Sequence, residues 1–159
     1  MNERSDPVYS VDSSALIHGW RRIYRPRNFG FVWARIDTLI NTGRLRASIE
    51  VYRELEKKDD EVFAWCKERK DQLFIEIDDQ CQRQVSRLMV KYPRLVDTVT
   101  GRSGGDPFVI ALAASRSPPM VVVSEENPGR QRIPDVCRDE RIRCVRLPDL
   151  IEAEDWRFE

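Results

Sequence analysis

A chain of 159 residues is the size of one compact domain, and 41% hydrophobic against 34% charged residues is the balance of an ordinary folded protein, not a disordered one. Lysine plus arginine equals aspartate plus glutamate at 27 each, which excludes a histone-like or polybasic binder and requires any attraction to nucleic acid to come from a local patch. The opening MNERSDPVYS lacks the basic-then-apolar run of a signal peptide, and no apolar stretch approaches the roughly 18 residues that span a bilayer. The expectation is one cytoplasmic domain over residues 1–159, with no membrane partner.

In chain order, Val8-Tyr9-Ser10-Val11 reads as a short buried strand, and Asp12-Ser13-Ser14 caps a helical turn carrying Ala15, Leu16 and Ile17. Residues 29–41 place Val32, Ile36, Leu39 and Ile40 on one helical face, with Gly43 as the C-terminal stop. Residues 48–55 fit a short helix bearing Glu54. Asp59 and Asp60 then cap a helix with Val62, Phe63 and Cys66, and Leu73-Phe74-Ile75 is a marginal strand. A longer helix carries Cys81, Val85, Leu88 and Met89 on its apolar face and stops before Pro93.

Gly104-Gly105-Asp106-Pro107 predicts a sharp helix start, with Asp106 at the N-cap, Pro107 at the first helical position and Phe108 to Ala113 as the buried body. Met120-Val121-Val122-Val123 is β-branched and apolar throughout, as an interior parallel strand should be, and runs into Ser124-Glu125-Glu126. Ile133 to Cys137 reads as one helical turn, Cys144 to Leu147 as a last strand, and Pro148 as the start of a terminal helix. Strands alternating with helices predict an α/β fold: a three-layer α/β/α sandwich around a short, mostly parallel sheet.

Cys66, Cys81, Cys137 and Cys144 contain no CxxC pair and read as reduced thiols; structural zinc is disfavoured. Acids stand at element boundaries: Asp12 after the first strand, Glu54 in a short helix, Asp106 at a helix start, and Glu125 and Glu126 after the apolar strand. Ligands of open α/β sheets gather beyond the carboxyl ends of the strands. Carboxylates collected there repel one another unless a cation neutralises them, and hard oxygen donors select Mg²⁺ or Mn²⁺. Taken singly, each acid also fits a bland role, as a helix cap or a solvated charge.

Together, VYSVDSS, VYRELEKKDDEV, GGDPFVIALA and VVVSEEN, in that order and followed by IPDVC, resemble the PIN-domain nucleases. Within them the chain is most similar to a PIN-like, uncharacterised subgroup related to the VapC-like toxins of prokaryotes. The resemblance implies that Asp12, Glu54, Asp106 and Glu126 are catalytic metal ligands, with Glu125 competing for the fourth place. It also puts Ser14 and Ser124 behind the ligating carboxylates, where a hydroxyl braces a ligand. It implies a Mg²⁺- or Mn²⁺-dependent endoribonuclease leaving 5′-phosphate and 3′-hydroxyl ends, with one ion or two, a cognate antitoxin as partner, and a homodimer. A different Mg²⁺-dependent phosphohydrolase, or a PIN-like scaffold that binds RNA or protein without cutting, are the rival readings. The double glutamate where relatives carry aspartate, and the long segment after Ser14, are departures.

The segment from Gly19 to Phe29 interleaves Arg21, Arg22, Arg25 and Arg27 with Trp20, Tyr24 and Phe29, the chemistry that grips phosphates and stacks unpaired bases. It fits equally a loop whose aromatics pack inward while its arginines stay solvated. Arg102 and Ser103 have a weaker claim to contact RNA. His18 is read as packing beside Trp20, not as a ligand or general acid, and neither Ser13 nor Ser14 has the partners of a Ser-His-Asp hydrolase. GRSGGD lacks the GxxxxGK[ST] pattern of a nucleotide-binding loop.

Overall fold

The computed structural model of the protein describes residues 6–96 and 106–158; Arg102, Ser103 and the glycines before Asp106 lie outside them. Five parallel strands, β1 (Tyr9–Val11), β2 (Leu45–Ser48), β3 (Phe74–Ile75), β4 (Val121–Val123) and β5 (Cys144–Val145), form one sheet in the order β3-β2-β1-β4-β5. The helices among the described residues are α1 (Ser13–His18), α2 (Pro26–Asn41), α3 (Ile49–Lys58), α4 (Glu61–Lys67), α5 (Lys70–Leu73), α6 (Asp79–Lys91), α7 (Asp106–Ala114), α8 (Ile133–Asp139) and α9 (Leu147–Ala153).

The two residues at the start of β1 show how the layers are made. Successive strand side chains point to opposite faces. The Ser10 hydroxyl donates to the Val109 carbonyl of α7 at 2.9 Å, whereas the Tyr9 hydroxyl donates to Glu154, just past α9, at 2.6 Å. Helix α7 lies across β1, β2 and β4 with α6 and α8 against it. On the other side, two Arg44 to Glu154 bonds of 2.7 Å tie the start of β2 to the end of α9. The three-layer α/β/α sandwich anticipated from the alternating elements is the fold observed, and its sheet is parallel at every pairing.

The core follows the apolar pattern. Val121, Val122 and Val123 are buried, as are Val109 to Ala113 of α7, so α7 is apolar all round, as a helix enclosed by a sheet and other helices must be. Helix α2 buries Val32, Trp33, Ile36, Leu39 and Ile40. Its end is closed by the Gly43 amide on the Ile40 carbonyl (3.1 Å) and the Arg44 amide on the Leu39 carbonyl (2.8 Å). This paired closure needs a left-handed residue, and Gly43 supplies it at φ 77°.

Several boundaries differ from expectation. Helix α2 starts at Pro26, three residues early, with a kink at Phe29, and a wide π-type turn over Gly19–Ile23 precedes it. Strand β2 is unanticipated: Leu-Arg-Ala-Ser has little intrinsic strand preference, and pairing with β1 and β3 imposes the conformation. Met89 is 47% exposed, so it is not a core residue of α6. Strand β5 stops at Val145 because Leu147-Pro148 already opens α9. Helix α7 includes Asp106 as its first residue, with Pro107 second. Cys66, Cys81 and Cys137 are buried and all four cysteines are free thiols, as anticipated.

Candidate active site

The register of β1 against β4 builds the site. Tyr9, Ser10 and Val11 stand opposite Val121, Val122 and Val123, so the residues after each strand, Asp12 and Ser124, leave the sheet side by side. The Asp12 amide donates to the Val123 carbonyl at 2.9 Å and pins that exit. Asp12 sits at the N-cap of α1, but its side chain makes no capping bond. Instead, its Oδ2 accepts from the Ser14 hydroxyl at 2.6 Å and the Ser124 hydroxyl at 3.1 Å. Each of these hydroxyls is itself oriented, Ser14 by the Glu125 amide (3.0 Å) and Ser124 by the Glu126 amide (3.2 Å). With both hydroxyl protons given to Asp12, the 3.3 Å approach of Ser14 to Ser124 adds nothing.

Glu54 arrives from α3, where its Oε2 accepts from the Ser13 hydroxyl at 2.9 Å. Asp106 arrives from the first turn of α7. Asp12, Glu54, Asp106 and Glu126 thereby border one cleft of about 660 Å³, which Ser13, Ser14, His18 and Arg132 also line. Asp12 and Asp106 are 2% and 4% exposed. Burial, then the charges of Glu126 and Glu54, push the Asp12 carboxyl up to about 6 against the pull of the Ser14 and Ser124 hydroxyls. Burial, then the charges of Asp12, Glu126 and Glu54, push Asp106 up to about 9, and a hydrogen bond with Glu126 adds to the rise.

The tandem glutamates divide. Glu125 also lines the cleft, but its oxygens are engaged elsewhere: Oε1 accepts from the Leu147 amide at the start of α9 (2.8 Å), and Oε2 lies 3.5 Å from Arg146. Glu126 faces Asp106 and Asp12, with its Oε2 also accepting from the Ile133 amide at 3.1 Å.

One oxygen of each of three carboxylates is left over. Asp12 Oδ1, Glu54 Oε1 and Asp106 Oδ2 are buried without a hydrogen-bond partner. Buried polar atoms without partners are rare and costly, and here all three are carboxyl oxygens in one cleft. Among the described residues, no three His, Cys, Asp or Glu side chains are drawn into a ready-made metal shell. The orphaned oxygens and the mutual field of the acids are the stronger guide, because uncompensated carboxylates hold one another apart. An all-oxygen, strongly anionic donor set fits a hard divalent cation.

The arginine segment is split by the fold. Arg21 and Arg22 border the acidic cleft, with Arg21 paired to Asp60, whereas Arg25 and Arg27 line a neighbouring groove with Trp20 and Pro26. The aromatics pack inward. Trp20 meets Trp33 edge-on at 4.9 Å, Tyr24 meets Phe29 at 5.4 Å, and the Tyr24 carbonyl accepts from the Trp33 indole at 2.6 Å. Trp20, Tyr24 and Phe29 thus pack against the body as the alternative reading expected, yet stay partly exposed, and Trp20 also lines the groove that holds Arg25 and Arg27. His18 borders the cleft, more than the packing residue anticipated. Ser13 and Arg132 escaped the sequence reading. Adjacency to Asp12 was the available signal for Ser13, and Arg132 has none, because only the fold carries it to the acids.

A short parallel sheet between two helical layers, with acids gathered beyond the carboxyl ends of its strands, defines a PIN-like fold. The chain is similar to two solved structures at fold level. One is a chain of VapBC2 from Rickettsia felis bound to a DNA fragment from its promoter (TM-score 0.55, 11% identity, 87% of this chain and 98% of that one). The other is a chain of DNA-bound VapBC from Salmonella typhimurium (TM-score 0.53, 16% identity, 89% of this chain and 98% of that one). No curated protein matches the sequence significantly. The chain belongs to the family described as Domain of unknown function (DUF4411), whose model matches residues 9–158.

Proposed function

We propose that the chain is a single-domain, divalent-metal-dependent endoribonuclease acting in the cytoplasm as the toxin of a toxin–antitoxin pair. The observation that carries this is the trio of buried, unpartnered oxygens on Asp12, Glu54 and Asp106 in one cleft. The shared fold with chains of VapBC structures supports the toxin assignment and an antitoxin partner, and a homodimer is part of the same reading. Asp12, Glu54, Asp106 and Glu126 are the residues to hold Mg²⁺ or Mn²⁺; Glu125, engaged with α9, is left out of the donor set. The cation supplies activation of water and neutralisation of the charge on the departing oxygen.

The chain's own residues do the rest. Ser14 and Ser124 fix the Asp12 carboxylate in one orientation by holding its Oδ2, leaving Oδ1 free to face the cleft, and Ser13 does the same for Glu54. Arg21 and Arg22, at the rim, offer positive charge to the RNA backbone. In the reaction, water oxygen bonds to phosphorus, the bond to the 3′ oxygen breaks, and that oxygen leaves as a hydroxyl, with the phosphate kept on the 5′ side. The test is incubation of the purified protein with total RNA and Mn²⁺ or Mg²⁺, beside folded Asp12→Asn and Asp106→Asn variants. Metal-dependent cleavage by wild type alone is expected. Equal cleavage by all three, or turnover of a small phosphomonoester with RNA untouched, removes the reading.

A further inference from the structure

Arg132 is the cation set deepest in the acidic cleft. Arg21, Arg22 and Lys58 also border it, but they are exposed and Arg21 is held by Asp60, whereas Arg132 is half-buried at the start of α8. Its Nε is buried and has no hydrogen-bond partner. A buried guanidinium nitrogen beside several carboxylates ordinarily closes on one of them, because leaving it bare forfeits its hydration without return.

The backbone around it is held in place. Asp135 Oδ2 accepts from the Gly129 amide (2.8 Å) and the Arg132 amide (3.2 Å), and Gln131 between them adopts a left-handed φ of 51° while its side chain accepts from the Arg94 amide (2.7 Å). Neighbouring Ile133 donates its amide to Glu126 at 3.1 Å, so the arginine and the acid share one anchor. Gly129 makes room for the side chain. A Cβ there would stand 2.8 Å from Arg132 Cδ and 3.3 Å from its Cγ, forcing the arginine stem to move.

We propose that Arg132 is a catalytic residue that grips the phosphate being cleaved, its guanidinium turning out of its unpartnered buried position to meet the non-bridging oxygens. The guanidinium fork matches two oxygens of a phosphate, as an ammonium does not, and its charge opposes the negative charge that the transition state gathers on them. This rests on the ribonuclease reading above. It adds to that reading a half-buried cation, set further in than Arg21, Arg22 and Lys58 at the rim, that attracts an anion towards the acids.

The experiment uses the full chain with Mn²⁺ and a fluorescein-labelled single-stranded oligoribonucleotide, comparing wild type, Arg132→Ala, Arg132→Lys, Gly129→Ala and Asp12→Asn, each checked for a native melting transition. Arg132→Ala is expected to lower kcat/KM by about 10² to 10³, the loss typical of one transition-state donor. Arg132→Lys restores little of it, and Gly129→Ala reproduces part of the defect with the arginine present. In an Asp12→Asn background, where the RNA binds without being cut, Arg132→Ala is expected to flatten the dependence of log Kd on log salt by about 0.7, the share of one phosphate contact. Unchanged cleavage or an unchanged salt slope in Arg132→Ala, with wild type active and Asp12→Asn dead, overturns this inference and leaves the nuclease reading standing. An inactive wild type overturns both.

Discussion

Replacing Asp106 by asparagine separates a carboxylate kept for a cation from one that merely starts a helix. With the chelator EDTA present, the folded protein holds Asp106 up at about 9 instead of its ordinary 3.8, mainly through burial and then through the charge of Asp12. The folded chain therefore binds this proton more tightly than the unfolded chain does. Stability falls as pH rises from about 4 towards 9 and levels off above. At pH 7 much of that span has been crossed, so the acid costs the folded state on the order of a few kcal/mol. Asparagine keeps the shape and needs no proton taken up on folding, so Asp106→Asn should raise the melting temperature at pH 7 in EDTA by several degrees, while the two proteins melt alike near pH 4. Saturating Mn²⁺ at a hundredfold above Kd should then raise wild type by roughly 5–10 °C and leave the variant where it was. Thermal denaturation followed by circular dichroism at both pH values, with and without Mn²⁺, measures all of this. A helix-capping role predicts no gain from asparagine, which caps as well as aspartate. A variant that melts at or below wild type at pH 7 in EDTA refutes the reasoning.

Glu125→Ala removes the acceptor of the Leu147 amide and should cost about 1 kcal/mol by chemical denaturation, as the loss of a helix N-terminal acceptor does, while RNA cleavage stays within a few-fold. Glu126→Gln should do the reverse, abolishing cleavage with little loss of stability. Ser14→Ala leaves Asp12 Oδ2 with Ser124 as its one hydroxyl donor and strips the Glu125 amide of its acceptor, and should lower cleavage about 10- to 100-fold when assayed at limiting Mn²⁺, with the defect shrinking as the metal is raised. Arg21→Ala with Arg22→Ala should weaken RNA binding and flatten its salt dependence, whereas Arg27→Ala, on the neighbouring groove, should leave both unchanged in fluorescence anisotropy.

What the residue pattern disclosed, and what it hid, follows from how far each feature depends on its neighbours in space. Val121 to Val123 and the DPFVIALA helix carry their own signals, β-branching in one and unbroken apolarity behind a proline in the other, and both elements form where they were read. Leu45 to Ser48 carries none, because its strand exists through its pairing with Tyr9, Ser10 and Phe74. Asp12 and the tandem glutamates could be placed beyond strand ends from the sequence, and Glu54 and Asp106 on helices, yet what separates Glu125 from Glu126 is where α9 starts. Leu147-Pro148 begins that helix earlier than the pattern suggested, and its first amide takes up Glu125. Arg21, Arg22, Arg25 and Arg27 look alike in sequence. The π-type turn and the kink at Phe29 distribute them between two surfaces.

The same reasoning explains why the centre of the site is written in serines as much as in acids. Four carboxylates crowded at the end of a parallel sheet oppose folding, and a chain selected for stability alone would have replaced some of them with apolar or amide side chains. Here the structure supplies only partial relief: Ser13, Ser14 and Ser124 each donate one proton to one oxygen of a carboxylate, and the opposite oxygens of Asp12 and Glu54 stay bare. Full relief was available at small cost, since a lysine in place of Ser13 or Ser14 would place a permanent counter-charge among the acids. Neutral hydroxyls instead orient the carboxylates without discharging them, and an oriented but uncompensated set of anions is what a site for an exchangeable cation requires. On this view a Ser14→Lys variant should melt higher than wild type in EDTA and lose both its Mn²⁺-induced shift and its RNA cleavage. A lysine variant that keeps the metal response would mean that the hydroxyls serve packing alone.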